Sequence, residues 1–242
     1  MDIANHKVIV VGGSSGMGRA VAQAAAAKGA EVTIVGRSQV KLAEVVAELA
    51  APQSVRTIAA DVTNEDDVRR IFATTGAFDH LIVTAASNLA YSTLQELDQD
   101  AIRRTIDAKL IAALLLVKYA APHINERGSI TLTSGIAAER PLSTGFLVAA
   151  VNGSLFSLTY GLAVALAPVR VNVLSPGWVD TPIWRTSALA ANRESMFEKM
   201  VQRLPARRIG QPEDIAHAAI FLMENEFTTG AILPIDGGHR LI

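Results

Sequence analysis

The sequence contains no cysteine, which excludes disulfide cross-links, thiol nucleophiles and cysteine-ligated metal centres. Neither sign of charge is in excess: 22 basic residues stand against 23 acidic ones, for a formal net charge of −1. Nucleic acids and anionic membrane surfaces recruit proteins through a basic excess, so neither is an expected partner, and no metal site is expected. The opening residues Met1-Asp2-Ile3-Ala4-Asn5 are polar and the first apolar run, Val8–Val11, is only a strand long. A secretory leader is therefore not expected, and a cytoplasmic location is. Charge is also missing locally, because no Asp, Glu, Lys or Arg occurs between Pro141 and Val169. A helix with no charged face is poorly suited to an open surface. A membrane span would fit the length, but Asn152, Gly153, Ser154, Ser157, Thr159 and Gly161 interrupt it. The stretch reads better as a helix with a sheet on one side and a partner subunit on the other. The apolar run Leu110–Val117 supplies a second such surface, and a homodimer or homotetramer is expected.

What the chain has in quantity is apolar surface in short runs. Half of its residues are hydrophobic, enough for a large core. Runs rich in Val and Ile predict strands over 7–11, 31–36, 55–60, 79–84, 128–134, 169–174 and 231–235. Between them, helical periodicity predicts helices over 16–29, 38–50, 64–74, 100–121, 146–166, 188–203 and 212–223. Continuous apolar strands alternating with helices imply a parallel sheet buried on both faces. The expected fold is a doubly wound α/β Rossmann fold with a seven-stranded sheet, one domain over residues 1–242.

The first strand runs into Gly12-Gly13-Ser14-Ser15-Gly16-Met17-Gly18, and an alanine-rich helix follows. Glycines let backbone approach a ligand without a Cβ in the way, and the helix start directs unpaired N–H groups toward an anion. An ordinary βα turn needs one glycine, not four in seven positions. Strand, glycine loop and helix in this order predict a nucleotide phosphate site.

With these residues the chain resembles the short-chain dehydrogenase/reductases over nearly its whole length. Val11 to Gly18 looks like that family's TGxxxGxG loop, with Val11 where Thr is usual. Asp61-Val62 resembles its adenine-contacting pair, and Arg170-Val171-Asn172-Val173-Leu174-Ser175-Pro176-Gly177 its RVNxxxPG segment. The segments 208–216 and 230–238 are similar to its C-terminal signatures. The resemblance implies a bound nicotinamide dinucleotide held by Gly12, Ser14, Ser15, Gly16, Met17 and Gly18, by Asp61, Val62 and Ala85, and by Pro176, Gly177 and Thr181. The second strand ends in Gly36-Arg37-Ser38, with no acid for a ribose 2′-hydroxyl. Arg37 is then expected to grip the 2′-phosphate of NADP, with help from Ser14 and Ser38.

The catalytic positions depart from the family pattern. No Tyr-x-x-x-Lys occurs anywhere in the chain. Counting back from Arg170-Val171-Asn172, Val148 stands where the family has its tyrosine, Asn152 its lysine and Gly135 its serine. Lys109 aligns with an asparagine of the preceding helix, and Thr84-Ala85-Ala86-Ser87 with an NNAG segment. Asn152 retains an amide that can bond a ribose hydroxyl. Lys109 becomes the candidate acid or oxyanion partner, against a reading in which it snorkels or pairs with an acid. Ser134 is the candidate hydroxyl, against a purely structural hydrogen bond. Arg140 is a possible contact for an anionic substrate, and residues 178–204 a lid carrying Trp184, Met196, Phe197 and Met200. Three readings stay open for a small-molecule substrate. They are an NADPH-dependent oxidoreductase of unusual mechanism (imines and iminium ions among its acceptors), a non-redox cyclase or isomerase using NADP as scaffold, and a silent NADP(H)-binding sensor or partner subunit.

Overall fold

A computed structural model describes residues 2–49, 54–85, 89–186 and 192–242. Its centre is a seven-stranded sheet of parallel strands in the order β3-β2-β1-β4-β5-β6-β7. The strands are β1 Lys7–Val11, β2 Glu31–Gly36, β3 Val55–Ala59, β4 Phe78–Val83, β5 Ile124–Thr133, β6 Arg170–Pro176 and β7 Ile232–Ile235. β1 pairs with β2 on one side and β4 on the other, so that Val11 lies opposite both Val35 and Val83. The winding reverses there, and a crevice opens at the carboxyl ends of these strands.

Alternation along each strand divides the core in two. Val8, Val10, Val32 and Ile34 point to one face, where α1 (Gly16–Ala27), α2 (Gln39–Ala47) and α9 (Pro212–Glu224) cover them. Ile9, Val11, Val35 and Leu81 point to the other. They meet Ile71 and Phe72 of α3 (Glu65–Thr75), Leu116 of α5 (Ala112–Ala120) and Leu155 of α6 (Phe146–Ala165). Helix starts follow capping chemistry. Asn64 accepts from Asp66 and Asp67 N–H at the head of α3, and Gln211 with Asp214 forms a capping box around Pro212 at the head of α9.

The expected doubly wound fold is present, with differences at element edges. β5 begins at Ile124 rather than 128, across an irregular register between Phe78 and His80. The expected helix 100–121 is three pieces: α4 (Gln99–Ile106), a π-helical turn over Asp107–Ile111, and α5. The expected helix 188–203 appears as α8, Arg193–Arg203, and its first residues fall outside the described ones. A short α7, Ile183–Thr186, precedes it.

The uncharged segment forms α6, the one helix among the described residues long and apolar enough to cross a membrane, at mean hydropathy 1.6. Val148, Val151, Asn152, Leu155 and Thr159 are its buried face. Tyr160 and Val164 lie on its exposed face.

Candidate active site

Two adjoining hollows occupy the crevice. The first, a groove of about 210 Å³, follows the β1–α1 loop. Gly12 has φ +84°, and a Cβ there would fall 2.7 Å from the Ala85 backbone nitrogen. A Cβ on Gly18 would fall 2.4 Å from the Gly12 carbonyl oxygen. These glycines let α1 start directly behind the strand end. Ser15 caps α1 with no side-chain hydrogen bond to it, and the first turn holds no acid. Unpaired N–H groups and the positive end of the helix dipole therefore face the groove.

Gly12, Ser14, Ser15, Gly16, Met17 and Gly18 line this groove, together with Arg37, Asp61, Val62, Ala85 and Thr181. Asp61 is held in place by Thr63, whose N–H and hydroxyl donate to its Oδ1 at 3.0 and 2.8 Å. Arg37 is exposed at the groove's edge, with no hydrogen bond or ion pair among the described residues. Ser38 does not line the groove. Its Oγ accepts the Lys41 N–H at 3.4 Å and caps α2. Ala86 and Ser87 lie outside the described residues.

The second hollow, of about 190 Å³, shares Met17, Thr84, Thr181 and Ile183 with the groove. Lys109, Ser134, Asn152, Pro176 and Gly177 line it, beside Gly135 and Val148. The structure thus brings together the residues that sequence alignment placed at the catalytic positions. Lys109 sits on the π-helical turn, a distortion that frequently marks functional sites. It is 5% exposed, so it does not snorkel. Among the described residues its Nζ reaches only the Ser134 carbonyl oxygen, at 3.4 Å. Burial pushes its pKa down to about 8 because the charged form is poorly solvated there.

Ser134 Oγ donates to the Asn152 backbone oxygen at 2.8 Å. Its proton is taken by α6, which is the structural hydrogen bond that the sequence left open beside a catalytic role. Asn152 is buried, and its Oδ1 has no hydrogen-bond partner among the described residues.

Three features of the cavity had little signal in the sequence. Trp178 and Trp184 stack 4.8 Å apart as one wall. Met196, Phe197 and Met200 of the expected lid instead pack on these tryptophans and Leu204 in a small core of their own. His239 enters from the C-terminal turn. Asp236 builds that turn by accepting the N–H groups of Gly238 and Arg240 at 2.9 Å. Arg140 holds it down by donating from Nε and Nη2 to the Arg240 carbonyl oxygen. The Arg140–Arg240 contact joins segments 100 residues apart.

A family model described as enoyl-(acyl carrier protein) reductase matches residues 11–240. The chain is 31% identical to the short-chain dehydrogenase/reductase fsr5 of Gibberella fujikuroi, over 99% of this chain and 96% of the relative. It is 32% identical to L-fucose dehydrogenase of Oryctolagus cuniculus, over 98% and 86%. The chain belongs to the short-chain dehydrogenase/reductases. The family includes oxidoreductases, and solved structures agree with the assignment. A small-chain dehydrogenase in complex with NADPH superposes with a TM-score of 0.84 at 30% identity, covering 98% of this chain and all (100%) of the other. The MalC reductase/Diels-Alderase from Malbranchea aurantiaca gives 0.91 at 29% identity, covering 100% and 98%.

Proposed function

We propose that this short-chain dehydrogenase/reductase is a one-domain, NADP(H)-dependent oxidoreductase that works without the Tyr-x-x-x-Lys pair and relies on Lys109. The observation that carries the reading is a buried lysine, with no carboxylate partner among the described residues, in a cavity that opens on a dinucleotide groove.

The residues present fit the cofactor. The cradle at Gly12 tolerates no side chain, the α1 N-terminus offers free donors to a diphosphate, and Arg37 is available for a 2′-phosphate. The relative solved with NADPH supports the same choice. One charge-assisted hydrogen bond from Arg37 contributes about 1.5–3 kcal/mol. Thr181 and Gly177, which line the cavity, would hold the nicotinamide, and Asn152 Oδ1, unpartnered among the described residues, would accept from a ribose hydroxyl. When bound, the reduced nicotinamide supplies the hydride.

The remaining task falls to this chain's residues. Val148 and Gly135 have no proton to give and no hydroxyl to clamp an oxygen. Lys109 holds a proton at Nζ below about pH 8 and presents positive charge where an acceptor oxygen becomes negative. Trp178 and Trp184 exclude water from one side. Acceptors whose reduced forms are stabilised oxyanions, such as quinones and diketones, suit this arrangement better than simple ketones. The test is NADPH oxidation with ketones, quinones and diketones. Brisk turnover of simple ketones contradicts the reading.

The likeness to a protein named both reductase and Diels-Alderase favours a second reading, cyclisation or isomerisation in the same cavity with NADP as scaffold. Product formation without NADPH consumption distinguishes it, and absence of any turnover favours a silent binding protein. Self-association through α6 and the apolar face of α5 belongs to either proposal.

A further inference from the structure

We infer that the cavity selects planar, conjugated molecules carrying negative charge on oxygen, as carboxylate, enolate or phenolate, and seats that oxygen at Lys109 while turning cations away. This rests on the proposed reaction only for the identity of the cavity as the substrate site.

The described residues lining the cavity include Lys109 and Arg140 and not one Asp or Glu. The undescribed segments 86–88 and 187–191 read Ala-Ser-Asn and Ser-Ala-Leu-Ala-Ala, so they add no acid. Of the acids on elements that line the cavity, Asp236 is occupied by two backbone N–H groups and by Arg240 Nη1 at 3.1 Å, Asp180 is paired with Arg193 Nη2 at 2.6 Å, and Asp107, two residues before Lys109, does not line the cavity. Burial and the charges of Arg203 and Arg140 hold the His239 imidazole below its ordinary pKa.

Lys109 is the decisive member. A buried ammonium ordinarily has an acid beside it, because an isolated one is costly. Among the described residues, this one has a single long contact, to a backbone carbonyl oxygen. An oxyanion entering the cavity supplies the missing counter-charge. An ammonium or iminium ligand meets like charge with nothing to offset it, so iminium ions, at first reasonable acceptors, are disfavoured.

Shape gives the rest of the ligand. The stacked pair Trp178 and Trp184 is a flat apolar wall, and aromatic bodies pack well on such faces. Besides Asn152 Oδ1, which the cofactor ribose would engage, two buried polar atoms lack partners among the described residues: Thr133 Oγ1 and His239 Nδ1. Each belongs to a residue lining the cavity, and buried polar groups rarely stay unpaired. They suit a polyoxygenated ring better than a simple hydrocarbon.

The test is equilibrium binding, read without turnover. Naphthoate, naphthamide and naphthylmethylammonium have the same flat body and differ in charge. Each is titrated by calorimetry into the wild-type protein near neutral pH, with and without saturating NADP⁺. The expected order is anion, neutral, cation, with naphthoate at least about tenfold tighter than naphthamide, the worth of one charge-assisted hydrogen bond. In Lys109→Met the anion loses that advantage. Equal or tighter binding of the amide or the cation to wild type overturns the inference, as does an anion preference that survives Lys109→Met. Should the variant not fold, the wild-type series decides alone. NADP⁺ affinity is measured on the same samples. Its absence overturns the cofactor assignment and leaves the charge preference to be judged on the cofactor-free protein.

Discussion

The Asn152 side-chain nitrogen lies 3.0 Å from the point a Cβ on Gly135 would occupy. The backbone of Gly135 is extended, at φ 168°, so a side chain is opposed by this neighbour and not by torsional strain. The residues standing where the family has a serine and a lysine are thus fitted to each other. Gly135→Ser alone is expected to destabilise the protein by about 1 kcal/mol through overpacking and to add no ketone reductase activity. Thermal unfolding and an NADPH oxidation assay check both. Gly135→Ser with Asn152→Ala should recover the lost stability.

Arg37→Ala should lower affinity for NADPH by about 10–150-fold and leave NADH binding nearly unchanged. Fluorescence titration of both cofactors measures the ratio. An unchanged ratio contradicts the role of Arg37.

Lys109→Met should reduce turnover of any accepted substrate by about 10²-fold or more, with NADPH affinity little altered. In the wild type, turnover should fall as pH rises through about 8, as Lys109 loses its proton. A pH–rate profile that stays flat through that range excludes Lys109 as acid or charge partner.

Stability should move the opposite way. The folded-state pKa of Lys109 is lowered, to about 8 from 10.5. Between these values the unfolded chain binds more protons than the folded one, so folding strengthens as pH rises through the interval. Below it the wild type bears a cost on the order of 3 kcal/mol. Lys109→Met should therefore melt above the wild type near neutral pH, and the difference should shrink toward pH 10. Denaturant unfolding across that range is the measurement.

The fold was legible in the sequence because Val- and Ile-rich runs of strand length and helices of clear period alternate from β1 to β7. The loop at the head of the groove was legible because its residues are consecutive, from Gly12 to Gly18. The π-helical turn at Asp107–Ile111 was not, since its residues keep an ordinary helical pattern and only the backbone pairing reveals it. The commitment of Ser134 to Asn152 and the arrival of His239 in the cavity depend on contacts across β5, α6 and the C-terminal turn. No local spacing encodes them. The lid segment read as apolar for the right reason, but its apolar groups satisfy one another around Trp178.

The outer face of α6 leaves Val164 81% exposed, and Gly153 and Gly161 have open space around them. Ile111 and Leu114 add exposed apolar surface on the neighbouring helix. Val164→Glu should dissociate an assembly formed there, as read by sedimentation. Leu158, on the same helix, is packed against the core, so its replacement would confuse folding with assembly. A wild type that sediments as a monomer at micromolar concentration refutes the proposal.

Met17, Thr84, Thr181 and Ile183 are walls of both hollows at once. A dinucleotide that presses on these side chains reshapes the surface its co-substrate will meet, and the co-substrate does the same in return. By linkage, the factor by which either guest tightens or loosens the other is identical in both directions. Four shared side chains thereby make the order of arrival a matter of kinetics and the final affinity of the pair a single thermodynamic quantity.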